Sequence, residues 1–179
     1  MSVRITYVTH STTTDSEAGI ATGWNPGALS ELGREQAREL GERYAGTQFD
    51  AIYVSDLARA VDSATIAFGE GAFRLDARLR ECDYGARNGT PITRAERIEH
   101  ATKPFPGGES YADVVERMRG LLVDLGAQHR GEHVLLVAHS APRVALEHLL
   151  NGVPLDEAVA MPNEWQPGWS YVVPDETAL

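Results

Sequence analysis

The sequence predicts an α/β fold, a three-layer α/β/α sandwich with a mostly parallel central sheet, formed by a single domain over residues 1–179. Short runs rich in Val, Ile and Leu alternate along the chain with longer stretches whose apolar residues recur every three to four positions. Runs such as Val134 to Ala138 are apolar throughout, which is the pattern of strands covered on both faces. Alternation of strand and helix leads to a parallel sheet with helices on either side. A chain of 179 residues, 42% of them apolar, is sufficient for one core of this kind. No internal repeat, low-complexity tract or long linker divides it.

Arg4 to Thr9 reads as a buried first strand. Thr12 to Gly27, rich in Thr, Gly, Asn and Pro, reads as a loop. Ser30 is placed to cap a helix reaching about Tyr44, with Leu32, Ala37, Leu40, Gly41 and Tyr44 near one stripe. Phe49 to Val54 is the second strand. Ser55-Asp56 is expected to cap a helix carrying Leu57, Ala60, Ala64, Ala67 and Phe68. Phe73 to Leu75 suggests a short edge strand. Residues 81–108 contain repeated Gly and Pro and read mostly as loop, with a helical turn or two near Ile92 to His100. Ser110-x-x-Asp113 forms a capping box. It opens a helix with Tyr111, Val114, Val115, Met118, Leu121, Leu122 and Leu125 on one face. His133 to Ala138 is a strand, Pro142 to Leu150 a helix ended by Asn151-Gly152, and Tyr171 to Val173 a last strand.

The chain carries 16 basic and 26 acidic residues, a net charge of −10. Such a surface repels nucleic-acid backbones and anionic membranes, so neither is an expected partner. No apolar run approaches the ~20 residues of a membrane helix, and the first residues lack the pattern of a secretory signal. Cys82 is the only cysteine, so no internal disulfide can form, and a cytoplasmic location is expected.

In parallel α/β sheets ligands bind beyond the carboxyl ends of the strands. His10 follows the first strand, Arg59 lies one helical turn beyond the second, Glu81 follows the edge-strand region and His139 follows Val134 to Ala138. Each alone has an ordinary structural explanation. The other histidines (His100, His129, His133 and His148) carry no such placement.

The segments around these four residues resemble, in order, those of the histidine phosphatase superfamily, the phosphoglycerate-mutase-like enzymes. Thr6-Tyr7-Val8-Thr9-His10-Ser11 stands where the family has its Arg-His-Gly signature. Gly23-Trp24 with Leu29 to Ala37, then Val54-Ser55-Asp56-Leu57-Ala58-Arg59-Ala60, Leu79-Arg80-Glu81-Cys82-Asp83-Tyr84-Gly85, Pro106-Gly107-Gly108-Glu109-Ser110 and Val134 to His139 are similar to its later motifs. The resemblance implies that His10 is the nucleophile and that His139 and Arg59 hold the phosphoryl oxygens. Glu81 would protonate the leaving alcohol and then deprotonate the attacking water.

The chain departs from that pattern at Thr9 in place of the signature arginine, at Ser11 in place of glycine, at Ser16 and Ile20 where an asparagine and a second arginine are common, and at Ser140-Ala141 in place of glycines. The phosphate cradle is therefore expected to be short of at least one charge. Arg143, Arg87, the hydroxyls of Thr9, Ser11, Thr12, Thr13 and Ser140, and the N-terminus of the helix after His139 are conceivable substitutes. Arg59, Thr9, Ser11, Ser16, Ser140 and Arg143 are the expected substrate-binding residues. Trp165 and Trp169 either wall the pocket or belong to the core.

The expected function is a phosphomonoesterase acting on a small phosphorylated metabolite through a phosphohistidine on His10, with no cofactor and no metal. The alternative is a catalytically weak or repurposed member of the fold that binds an anionic ligand, suggested by Thr9. A third reading takes His10, His139 and Glu81 as zinc ligands. The expected partner is a small phosphate ester, and a homodimer is left open.

Overall fold

The computed structural model describes residues 1–174. Strand β1 (Val3–Thr9) leads through a short helix α1 (Thr14–Glu17) to α2 (Glu31–Tyr44), β2 (Ala51–Val54) and α3 (Ala58–Phe68). The edge strand β3 (Arg74–Leu75), α4 (Arg94–Glu99), α5 (Tyr111–Gln128), β4 (His133–Ala138), α6 (Ser140–Asn151), α7 (Leu155–Ala160) and β5 (Trp169–Val173) follow. The sheet has the order β3-β2-β4-β1-β5 and is parallel except for β5, which runs antiparallel to β1. This is the α/β fold expected.

The two faces of the sheet sort by alternate residues, as the pleat requires. Ile5, Tyr7, Val134, Leu136 and Ala138 point into a core shared with α5, α6 and α7, where all seven predicted apolar residues of α5 are buried. Val8, Leu135 and Val137 point the other way, onto Leu40 of α2 and Ala60 and Ala64 of α3. Both faces are therefore covered, which is why β1 and β4 are apolar nearly throughout.

Strand register determines where the site falls. Thr9 of β1 pairs with Ala138 of β4, and Val54 of β2 pairs with Val137. Parallel strands in this register end at one edge, so the residues that follow them, His10, Ser55 and His139, start as neighbours about 5 Å apart across the sheet.

Several local expectations need correction. Leu32 is 50% exposed, and the inward face of α2 is Gly33, Ala37 and Leu40. Gly33 is there because the Thr12 carbonyl oxygen comes within 1.9 Å of where a Cβ would stand, so only a glycine lets α2 press against the loop after His10. Ser55 and Asp56 do not cap α3. Its N-cap is Leu57, with no side-chain bond, because the Ser55 hydroxyl and the Asp56 carboxylate are engaged with His139 and Arg80. The loop over residues 12–27 contains α1, capped by a Thr13–Ser16 box. Helix α7 was not anticipated. Its six residues follow Pro154 closely and carry only two buried apolar side chains, Ala158 and Val159, too few for a visible period.

Candidate active site

A cavity of about 440 Å³ opens at the carboxyl edge of the sheet. Thr9, His10, Arg59, Glu81 and Ser140 line it together with Thr12 and Tyr84, and Ser16, Glu17 and residues 19–23 form one side. Ile92, Arg97, Asn163 and Trp165 line the remainder.

The imidazoles of His10 and His139 approach to 5.1 Å between ring centroids. The His10 backbone N–H donates to the Ala138 carbonyl across the sheet at 2.8 Å. The Nδ1 of His10 is 2.8 Å from the Ser11 carbonyl, an acceptor, so Nδ1 carries the proton and Nε2 is unprotonated. Burial first, then the Arg59 guanidinium, pushes the His10 pKa down to about 3, so the ring is neutral over the physiological range.

His139 is wholly buried. The Tyr7 hydroxyl fixes its backbone, donating to its carbonyl and accepting from its N–H at 3.1 Å. Its Nε2 is 2.7 Å from the Ser55 hydroxyl. That hydroxyl oxygen also accepts from the Leu57 N–H at 3.3 Å, and when it donates its own proton to His139 Nε2 the ring proton lies on Nδ1. Nδ1 is buried without a partner among the described residues. In that tautomer Nδ1 is a buried N–H without a partner, which is costly. Burial, Arg59 and His10 together hold the His139 pKa well below its ordinary value.

Arg59 is 2% exposed. Its Nη2 donates to the Gly23 carbonyl at 2.8 Å, its Nη1 to the Asn25 carbonyl at 3.4 Å, and its Nε to His10 Nε2 at 3.4 Å. No carboxylate pairs with it among the described residues. Burial lowers its pKa, and the charges of Glu81, Tyr84 and Asp15 oppose that shift. A buried guanidinium held by neutral groups leaves positive potential in the cavity.

Glu81 is also buried. One carboxylate oxygen accepts from the N–H groups of Cys82 and Ala141 at 2.9 and 3.0 Å, and the other accepts from the Ser140 hydroxyl at 2.9 Å. The carboxylate thus sits at the N-terminus of α6, where the helix dipole favours an anion. That helix end is therefore occupied and does not stand in for the missing arginine.

The other expected binding residues divide. Thr9 and Ser16 line the cavity, the latter with its hydroxyl bonded to Thr13 in the α1 capping box. Ser11 contributes its carbonyl to His10, while its N–H donates to the Ser63 hydroxyl and its own hydroxyl is buried and unpartnered. Arg143 is a correction. It does not line the cavity but lies in the core over Trp169 at 4.8 Å, bonded to the Pro162 carbonyl and 3.8 Å from Glu147. Its helix turns it onto β5, where stacking and Glu147 hold it. Arg87 is likewise engaged elsewhere, with Glu96, Thr90 and the Pro91 carbonyl. The two tryptophans separate: Trp165 lines the cavity and Trp169 packs edge-on against Tyr7 in the core. No three His, Cys, Asp or Glu side chains among the described residues group to hold a metal, and no helix among them is long and apolar enough to cross a membrane.

Sequence reasoning missed five residues. Ser55 follows β2 directly, so the strand-end rule pointed to it. Trp24 Nε1 and Arg117 Nη2 both donate to the Glu81 carbonyl, at 2.7 and 3.0 Å, and so orient the acid. Arg80 covers the Trp24 ring at 4.7 Å while pairing with Asp56. Nothing local in the sequence marks either contact. Arg97, on the cavity lining, is the fifth.

The neutral imidazoles make stability depend on pH. In the unfolded chain His10 and His139 titrate near the ordinary value of ~6.5, and folding lowers both. The unfolded state then binds more protons below that pH, so the contribution is complete above about pH 6.5 and is lost as pH falls. The thermal midpoint of the protein is expected to fall between pH 7 and pH 4. A His10→Asn, His139→Asn protein is expected to fall less, and parallel curves in calorimetry would contradict the assignment.

A sequence profile of the histidine phosphatase superfamily (branch 1) matches residues 5–172. The chain is 36% identical over 147 residues to a glucosyl-3-phosphoglycerate phosphatase of Mycolicibacterium vanbaalenii, a match covering 72% of this chain and 65% of that protein's length. It is 33% identical over 151 residues to a 2,3-bisphosphoglycerate-dependent phosphoglycerate mutase of Methylorubrum extorquens, covering 74% and 71%. The solved structure of a mycobacterial glucosyl-3-phosphoglycerate phosphatase with VO3 superposes with a TM-score of 0.79 at 32% identity, over 89% of this chain and 87% of that one. On the profile, the fold and the paired imidazoles together, the chain belongs to the histidine phosphatase superfamily.

Proposed function

We propose that this protein is a phosphomonoesterase acting on a small phosphorylated metabolite, with the phosphoryl group passing through Nε2 of His10. The observation that carries the reading is the state of His10: Nδ1 is tied to the Ser11 carbonyl, and the unprotonated Nε2 meets only the Nε–H of a buried guanidinium, a long contact of 3.4 Å that an incoming phosphoryl group can replace. Nε2 attacks phosphorus, the N–P bond forms and the bond to the ester oxygen breaks. Glu81, which has to enter this step in its protonated form, gives that oxygen its proton, and the alcohol leaves. Water then attacks the phosphohistidine, Glu81 takes its proton, and the N–P bond breaks to free His10. Arg59 and His139 Nδ1 carry the charge on the transferring phosphoryl oxygens.

Hydrolysis is preferred to mutase activity because the segment between the acid and α5 is short, with α4 of six residues as its only α-helix. Such a segment leaves the cavity open to water. A repurposed anion-binding role is favoured only by Thr9, which offers a neutral hydroxyl where the family has a charge. Release of inorganic phosphate from p-nitrophenyl phosphate separates the two, with trapping of the phosphoprotein in alkali because the N–P bond is acid-labile. Turnover with a trapped phosphohistidine supports the phosphatase. Silence over a broad panel of phosphate esters, with phosphate still bound, supports the second reading.

A further inference from the structure

The charges around His10 set what its cavity can hold. Arg59 and Arg97 are the cations of the lining, and Glu17 and Glu81 the anions. Both imidazoles are neutral, because burial and Arg59 hold their pKa values down. Burial pushes that of Tyr84 up, so its phenol is neutral too. A third carboxylate lies nearby. Asp15, held by the Thr22 hydroxyl at 2.8 Å, and the Arg59 side chain each reach within 3.8 Å of the point where a Cβ on Gly27 would stand, and the charge of Asp15 is felt by Arg59. The two cations act in different places: Arg59 on both imidazoles, Arg97 on the buried Tyr111. Arg117, whose charge also reaches His139, is paired with Glu109.

At His10 a single guanidinium therefore meets the phosphoryl group, and Glu81 and Asp15 both act against a second negative charge. A charge taken out of water without a partner is costly. Thr9, on the lining and next in the chain to His10, offers a hydroxyl, which accepts a hydrogen bond as well as donating one, whereas a guanidinium only donates. The Glu81 oxygens are acceptors as well. Such groups suit a P–O–H. We propose that the cavity takes its ester with one negative charge on the phosphoryl group, as the hydrogen-phosphate monoanion and not the dianion, and that Thr9 is the residue that sets this preference. This rests on the phosphatase reading for the place of the phosphoryl group. Such an ester brings the proton that the first step needs. The proton passes from the P–O–H to Glu81 and from Glu81 to the leaving oxygen, while the N–P bond forms on His10 and the ester P–O bond breaks.

The test compares the binding of two anions of one shape that the protein cannot hydrolyse. At about pH 9 methylphosphonate carries two negative charges and methanesulfonate one. Each is titrated into the intact protein, with Arg59→Met as the control that locates both in the cavity. Methanesulfonate is expected to bind within about 3-fold of methylphosphonate, or more tightly. Thr9→Arg is expected to tighten methylphosphonate by about 10- to 100-fold, the gain of one charge-assisted contact, and methanesulfonate by several-fold less, so that the dianion is then preferred. The order of the two anions in the parent protein is a test by itself if Thr9→Arg does not fold. A preference of the parent for methylphosphonate above about 3-fold, an equal gain for both anions in Thr9→Arg, binding that survives Arg59→Met, or binding of neither anion overturns the proposal. Failure of the phosphatase reading would appear separately, as absence of p-nitrophenyl phosphate hydrolysis by the parent protein.

Discussion

His10→Ala is expected to leave a folded protein that releases phosphate from p-nitrophenyl phosphate at least roughly 10⁴-fold more slowly than the parent, the scale seen when a nucleophile is removed from an otherwise intact site. The reasoning starts from the sheet. The residue after β1 is held by its own backbone N–H on the Ala138 carbonyl, so deleting the ring does not release the chain. The ring itself makes few structural contacts: the Ser11 carbonyl, a long contact from Arg59, and the face of His139. Its loss leaves space that opens to the cavity, so water can fill it at little cost to stability. Chemistry, in contrast, loses the imidazole that lines the cavity and with it the unprotonated Nε2. His139 is no substitute, because its Nε2 is held by Ser55 and its ring is wholly buried, outside the cavity lining. Residual activity within about 10-fold of the parent, in a protein with unchanged circular dichroism, would remove His10 from the mechanism.

The sequence made the strands, the long helices and four site residues legible for a common reason: each rests on a pattern local to the chain. The all-apolar run at Val134 to Ala138 marks a buried strand, and the Ser110–Asp113 box marks the start of α5. Once the strands are parallel, strand ends mark the site, and His10, Arg59, Glu81 and His139 do converge. What stayed hidden depends on which elements meet. Arg143 and Arg97 are both arginines on helices near the site, and nothing in their neighbours along the chain tells them apart. The packing of α6 against β5 gives Arg143 a Trp169 ring and Glu147, while α4 leaves Arg97 facing the cavity without an acid. Ser55 and Asp56 look like helix caps, and the tertiary partners His139 and Arg80 outcompete that local role.

Arg59→Met is expected to lower kcat by about 10²- to 10³-fold, some 2.7–4 kcal/mol of transition-state stabilisation, by analogy with removal of one oxyanion donor. This chain is unusually exposed to that loss. Thr9 supplies no charge, Arg143 is in the core, Arg87 pairs with Glu96 and the α6 N-terminus holds Glu81, so Arg59 carries the positive charge nearest His10. Its donors to the Gly23 and Asn25 carbonyls lock the guanidinium before substrate arrives, so it needs little reorganisation during transfer. Arg59→Lys tests charge against geometry. An ammonium keeps the charge but cannot hold those carbonyls and face the phosphoryl group at once, so recovery of at most about 10-fold is expected. The same ordering should appear without turnover, in the rise of the thermal midpoint that inorganic phosphate gives to the parent, reduced in the lysine variant and absent in the methionine variant. If Arg59→Met keeps both activity and phosphate protection, some other cation serves the phosphoryl group, and Arg97 is the side chain to which the cavity lining then points.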